Sequence, residues 1–167
     1  MNGMTDRIYL DANIFIWMRE GGAGDEITHL LMRLPDVGWK ADCYKTSELT
    51  LAETMVVPSR EGAEDLIGWY NNVLGSSEGL EVGPVNRQVL EGAAILRARW
   101  RGLKLPDAIH IATAILFRCT YLLTGDERIT GTYDFTHHRS GRWRAAHAVS
   151  IIRPDVPTLR NLAEGTQ

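Results

Sequence analysis

The sequence predicts an α/β domain with a central, mostly parallel sheet flanked by helices in three layers. Two observations carry this reading. Short apolar strands alternate with segments of helical period along the chain, and the strand runs in "RIYLDAN" and "TYLLTGDE" show no polar alternation. Such runs belong to strands buried on both faces, as in parallel sheets whose crossover helices cover both sides. The 167 residues suit one domain, large enough to bury roughly two thirds of its unfolded surface. Residues 1–153 are assigned to that domain and 154–167 to a carboxyl-terminal tail with room for a short helix.

The elements follow in order. Ile8 to Leu10 form a buried strand that delivers Asp11 at its carboxyl end, and Asn13 is a good N-cap for a short helix through "IFIWMRE". A second helix is expected from Asp25 to Leu34, with Ile27, Leu30, Leu31 and Leu34 at helical spacing and Pro35 ending it. "ADCYKTS" reads as a second strand. Ser47 can cap the helix "ELTLAETMVV", which carries Glu53 two turns in, and Pro58 separates it from the next helix, "EDLIGWYNNVL". "LEV" suits an edge strand before a helix opened by Pro84 and closed near Gly102. Pro106 starts the helix of "LKLPDAIHIATAI", where its missing N–H costs nothing. Tyr121 to Leu123 and "AVSII" complete the strands.

Composition bounds the function. With 44% hydrophobic and 23% charged residues and no low-complexity tract, the chain is globular. Its amino terminus lacks the features of a secretory signal, and no run approaches the ~20 apolar residues of a membrane span; a cytoplasmic protein with no membrane partner is expected. Cys43 and Cys119 lack the paired spacing of a zinc site and read as buried reduced thiols. A net charge of −3 excludes a surface given over to nucleic acid but leaves room for a local basic patch. Arg97, Arg99, Arg101 and Lys104 form one such stretch, and Arg139, Arg142 and Arg144 another. Either can equally be a solvated face.

In open α/β sheets the ligand site lies beyond the carboxyl ends of the strands. Asp11 and Asp126 each directly follow or closely follow a buried strand, and Asp107 and Glu53 lie near the starts of helices that can face the same edge. Singly, each acid has a bland role, as a helix-dipole partner or turn former. Together they repel one another unless a proton or a cation intervenes. Oxygen-only ligands favour Mg²⁺ or Mn²⁺ over zinc, and such ions suit phosphodiester hydrolysis. Glu48 competes with Glu53, but five helical positions rotate a side chain by roughly 140°, so both cannot face one ion.

Four blocks, "YLDANIFI", "TSELTLAE", "LPDAIHIATA" and "LLTGDERI", resemble in order and context the signature blocks of PIN-domain ribonucleases, most closely the VapC toxins. The resemblance implies a PIN-like fold and places the acidic site, both catalytic and metal-binding, on Asp11, Glu53, Asp107 and Asp126. Asn13 would orient Asp11 or a water, and Thr124 would support the fourth acid; a helix cap and a turn hydroxyl are the plain alternatives. His110, one turn after Asp107, reads as a packed or hydrogen-bonded structural residue. Gly125 departs from the polar residue common at its position in the family, and the segment from Thr130 to Ala148 is longer than in compact members. That segment suits RNA binding, a partner contact or a tolerated insertion.

The expected function is therefore a Mg²⁺- or Mn²⁺-dependent endoribonuclease. By resemblance it is the toxin of a type II toxin–antitoxin pair, homodimeric and restrained by a cognate antitoxin. The basic groups would guide RNA. Its main rival is a non-catalytic PIN-like module that binds RNA or protein. A phosphatase with Asp11 as nucleophile is disfavoured, because "DAN" lacks the second aspartate of a D-x-D pattern.

Overall fold

In the computed structural model, which describes residues 6–21, 25–36, 43–75, 79–139, 142–145 and 147–164, the strands and helices alternate as the sequence predicts. The order is β1 (Ile8–Leu10), α1 (Ala12–Glu20), α2 (Glu26–Asp36), β2 (Tyr44–Ser47), α3 (Glu48–Thr54), α4 (Val56–Glu61), α5 (Glu64–Val73) and β3 (Leu80–Gly83). Then follow α6 (Arg87–Arg99), α7 (Leu105–Leu116), β4 (Tyr121–Leu123), β5 (Thr132–Tyr133), β6 (Thr136–Arg139), β7 (Arg142–Ala145), β8 (Val149–Ile152) and α8 (Val156–Glu164).

Six strands form one sheet in the order β3-β2-β1-β4-β8-β5. Every pairing in it is parallel except that of β5 with β8. From β1 the chain steps outward to β2 and β3, then returns to lay β4 on the other side of β1. The direction of winding thus reverses between β1 and β4, the place where an open α/β sheet leaves a crevice for a ligand.

The alternation of side chains in β1 defines the layers. Tyr9 joins a core with α6 and α7, including Val89, Leu96, Ile111 and Ile115. Ile8 and Leu10 join the opposite core with Phe15, Leu31, Tyr70 and Leu159. Among the described residues no helix is long and apolar enough to cross a membrane. Both cysteines are buried.

Several element boundaries differ from the sequence reading, each for a local reason. Asp11, not Asn13, is the N-cap of α1, its side chain accepting from the Ala12 N–H at 2.7 Å. Helix α2 runs through Pro35 to Asp36. The stretch "ELTLAETMVV" is two short helices joined at Met55, and Pro58 lies inside the first turn of α4, where no intrahelical N–H is required of it. Ser47 occupies the N-cap position of α3 without its side chain capping. Asn86, rather than Pro84, opens α6, accepting from the Val89 N–H at 3.1 Å.

The segment from Thr130 to Ala148, left unassigned by the sequence reading, contains β5 and an antiparallel hairpin of β6 with β7 that forms a separate two-stranded sheet. The tail from 154 carries α8, which packs along α2 and buries Leu159 completely.

Candidate metal centre

Strand β1 ends at the crevice and hands Asp11 to it, held by the start of α1. The carboxylate is buried and heavily bonded. Its Oδ2 accepts from Asn13 Nδ2 at 2.5 Å and Thr124 Oγ1 at 2.6 Å, and its Oδ1 accepts from the Ala12 N–H. Thr124, at the end of the neighbouring β4, is itself fully buried. It accepts from Asn13 Nδ2 and from the Asp126 N–H, each at 3.0 Å. Asn13 Oδ1 in turn accepts from the Gly125 N–H at 2.9 Å. Asn13 and Thr124 thus lock the orientation of Asp11, a task the sequence left open between support and capping.

Helix α7 contributes the next groups. Pro106 lies in its first turn, followed by Asp107, and one turn later His110 points from the same helix with its ring buried. His110 Nε2 lies 2.7 Å from Glu53 Oε2 and 3.6 Å from Asp11 Oδ1, while Nδ1 lies 2.8 Å from the Tyr9 hydroxyl. Glu53 comes from α3, half-buried; Glu48, at the start of that helix, is exposed. One donor atom each from Asp11, Glu53 and His110 lies within 4.8 Å of the others. Two carboxylates and an imidazole nitrogen at that spacing fit a divalent cation.

Asp107 and Asp126 sit around this group rather than within it. Burial, with the nearby charges of Asp126 and Asp11, pushes the Asp107 carboxyl above its ordinary range, against a smaller pull from Arg128. Asp126 is tied to Arg128 by a bidentate ion pair whose Nε contacts measure 2.8 and 3.2 Å. That pairing holds Asp126 down at about 2 despite some burial, with a further contribution from Lys104. For His110, burial pulls the ring down, but the hydrogen bond to Glu53 and the charges of Asp11, Glu53 and Asp107 outweigh it and raise the imidazole above its ordinary value. A cationic ring beside two carboxylates is what the neighbouring charge favours.

The loop after β4 is fixed by a residue the sequence reading passed over. Arg153, just past β8, donates to the carbonyls of Thr124 at 3.0 Å, Asp126 at 2.7 Å and Ile129 at 2.5 Å. Its one signal in the sequence is position, immediately after the last strand. Tyr9 and Arg128 were likewise not singled out, although Tyr9 shares a strand face with Asp11 two residues on.

Of the proposed RNA-guiding groups, Arg97, Arg99, Arg101 and Lys104 are exposed. Arg97 donates to the Leu103 carbonyl, and Arg99 pairs with Asp134 while lying over the Trp100 ring. Lys104 is close enough to influence Asp126. The backbone of Arg139, Arg142 and Arg144 lies in the hairpin, and their side chains fall outside the described residues.

The family model described as the PIN domain matches residues 8–134. The chain belongs to the PIN-domain family. Three solved structures share the PIN fold with it. A toxin–antitoxin complex from Klebsiella pneumoniae is 24% identical with a TM-score of 0.54, covering 71% of this chain and 86% of that one. The Mycobacterium tuberculosis toxin VapC20, described as cleaving the sarcin-ricin loop, is 20% identical with a TM-score of 0.53, over 69% and 86%. VapBC2 from Rickettsia felis, bound to a DNA fragment from its promoter, is 17% identical with a TM-score of 0.52, over 72% and 89%. No curated protein matches the chain. Within this PIN domain, Asp11, Glu53 and His110 occupy the winding reversal of the sheet, with Asp107 and Asp126 beside them.

Proposed function

We propose that this PIN domain is a metal-dependent endoribonuclease and the toxin of a type II toxin–antitoxin pair, restrained by a cognate antitoxin. The observation that carries the reading is the close approach of Asp11, Glu53 and His110 at the carboxyl edge of the sheet. A bound Mg²⁺ or Mn²⁺ would supply Lewis acidity toward the scissile phosphate and the attacking water. Asp11, Glu53 and Asp107 would hold the principal ion directly or through water, and Asp126 would complete the site or serve a second ion.

The chain's own groups prepare that chemistry. Thr124 and Asn13 occupy Asp11 Oδ2, leaving Oδ1 as the oxygen turned toward His110 and Glu53. Burial, with the charges of Asp126 and Asp11, pushes the Asp107 carboxyl up and favours its protonated form. Lys104 and Arg128 put positive charge beside the acids, where a phosphate backbone must approach. The toxin role and the antitoxin are supported by likeness to structures named as a toxin–antitoxin complex and as VapBC2, while a homodimeric state is what the family resemblance implies.

The test is cleavage of a panel of structured RNAs by purified protein with Mg²⁺, Mn²⁺ or chelator. Asp11→Asn and Glu53→Gln should each abolish cleavage while circular dichroism and the melting transition persist. Undiminished cleavage in chelator would overturn the metal mechanism, and cleavage by neither metal form would favour a non-catalytic binding module. Induced expression should arrest growth, and Asp11→Asn should relieve the arrest.

A further inference from the structure

We propose that His110 Nε2 is itself a metal ligand, held by a Tyr9–Ser47 relay, and that it makes the centre a mixed nitrogen–oxygen site selecting a first-row transition ion over Mg²⁺. The inference rests on the metal-dependent reading above and goes beyond its oxygen-only donor set. One edge of the imidazole faces both carboxylates, with Nε2 2.7 Å from Glu53 and 3.6 Å from Asp11. The space between two anionic oxygens and that nitrogen is where a cation balances the charge.

A ligating histidine needs its other nitrogen fixed by a partner that accepts its N–H. Tyr9 provides one, with its hydroxyl 2.8 Å from Nδ1 and its ring set edge-on to the imidazole at 5.7 Å. A phenol hydroxyl can donate as well as accept. When Nδ1–H donates to the phenol oxygen, the phenol hydrogen must turn to another acceptor. Ser47 Oγ lies beside that hydroxyl and is completely buried. Among the described residues it is a buried side-chain oxygen without a well-formed hydrogen bond. The phenol hydrogen turning to Ser47 satisfies both groups and leaves the Nε2 lone pair for the metal. Imidazole nitrogen suits transition ions, whereas Mg²⁺ keeps oxygen ligands and water.

The experiment uses Mn²⁺ as probe, with the intact protein and no RNA. Calorimetry gives Mn²⁺ and Mg²⁺ affinities, and electron spin echo modulation of bound Mn²⁺ reads nitrogen coupling, assigned by ¹⁵N-histidine labelling. Wild type should show histidine coupling. His110→Gln should lose it and lower the preference for Mn²⁺ over Mg²⁺ about tenfold. Tyr9→Phe should keep the coupling but bind Mn²⁺ about tenfold more weakly. Bound Mn²⁺ without nitrogen coupling in the wild type would overturn the inference and leave the nuclease reading standing. Failure to bind Mn²⁺ or Mg²⁺ at all would overturn both. Because the wild-type spectrum decides the ligand, the result does not depend on either variant folding.

Discussion

Thr124 carries an unusual share of the centre for a residue outside the cluster of Asp11, Glu53 and His110. It donates to Asp11, accepts from Asn13, and receives the Asp126 N–H. Thr124→Val keeps the shape but takes the Asp126 N–H's acceptor away and removes one bond each from Asp11 and Asn13, so it should cost about 1–3 kcal/mol in denaturant unfolding and weaken Mn²⁺ binding. Asp107 makes a prediction of opposite sign. Its raised pKa means the charged form is disfavoured in the folded chain, so without metal its ionisation costs stability as pH rises through the folded value. Asp107→Asn should therefore raise the melting temperature in chelator at neutral pH, and the gain should shrink as pH falls and the wild-type carboxyl takes up its proton. Equal melting curves at neutral pH would count against that coupling. Asp11, Asn13, Thr124 and Asp126 could be picked out because they stand in short fixed patterns after strands. The close pairing of His110 with Glu53 could not, since it joins residues of two helices 57 positions apart, and no local pattern encodes such a distance.

Helix α7 shows how an element presents a site. Residues 108–115 are all buried, so the helix is clamped on every side and its first turn inherits that rigidity. Its far end closes by a Schellman arrangement, with the Arg118 N–H on the Ile115 carbonyl at 3.0 Å and the Cys119 N–H on the Ala114 carbonyl at 2.9 Å. Arg118 takes φ 58°, a left-handed conformation better suited to glycine. Arg118→Gly should stabilise by about 1 kcal/mol or less, the relief of strain being partly offset by a freer unfolded chain. A fall in melting temperature would contradict this. Strong periodicity and Pro106 made α7 readable, whereas the break between α3 and α4 was hidden, because Met55 carries no stop signal. The hairpin of β6 and β7 was hidden as well. Its polar and charged strands mask the alternation by which strands are usually recognised.

For the molecule as a whole, the buried apolar strands β1 and β4 were enough to imply a parallel sheet, while the sheet order was not readable, because many orders satisfy the same alternation. Helix α8 illustrates the same limit: its tail composition gave little sign that Leu159 would be fully buried against the α1–α2 side. Leu159→Ala should cost about 2–5 kcal/mol by leaving a cavity in that core, measured by urea unfolding, with RNA cleavage by the folded fraction unchanged.

The winding of the sheet also sets a timetable. Asp11 meets Thr124 across 113 positions of sequence, and β1 acquires β4 as a neighbour only after α6 and α7 have been made. Domains fold as units and long-range parallel pairing comes late. A nascent chain on the ribosome therefore lacks a complete centre until most of its residues have emerged. On the proposed ribonuclease reading, synthesis itself becomes a safeguard, because the centre stays incomplete, and each copy harmless beside the template that encodes it, until β4 has been made.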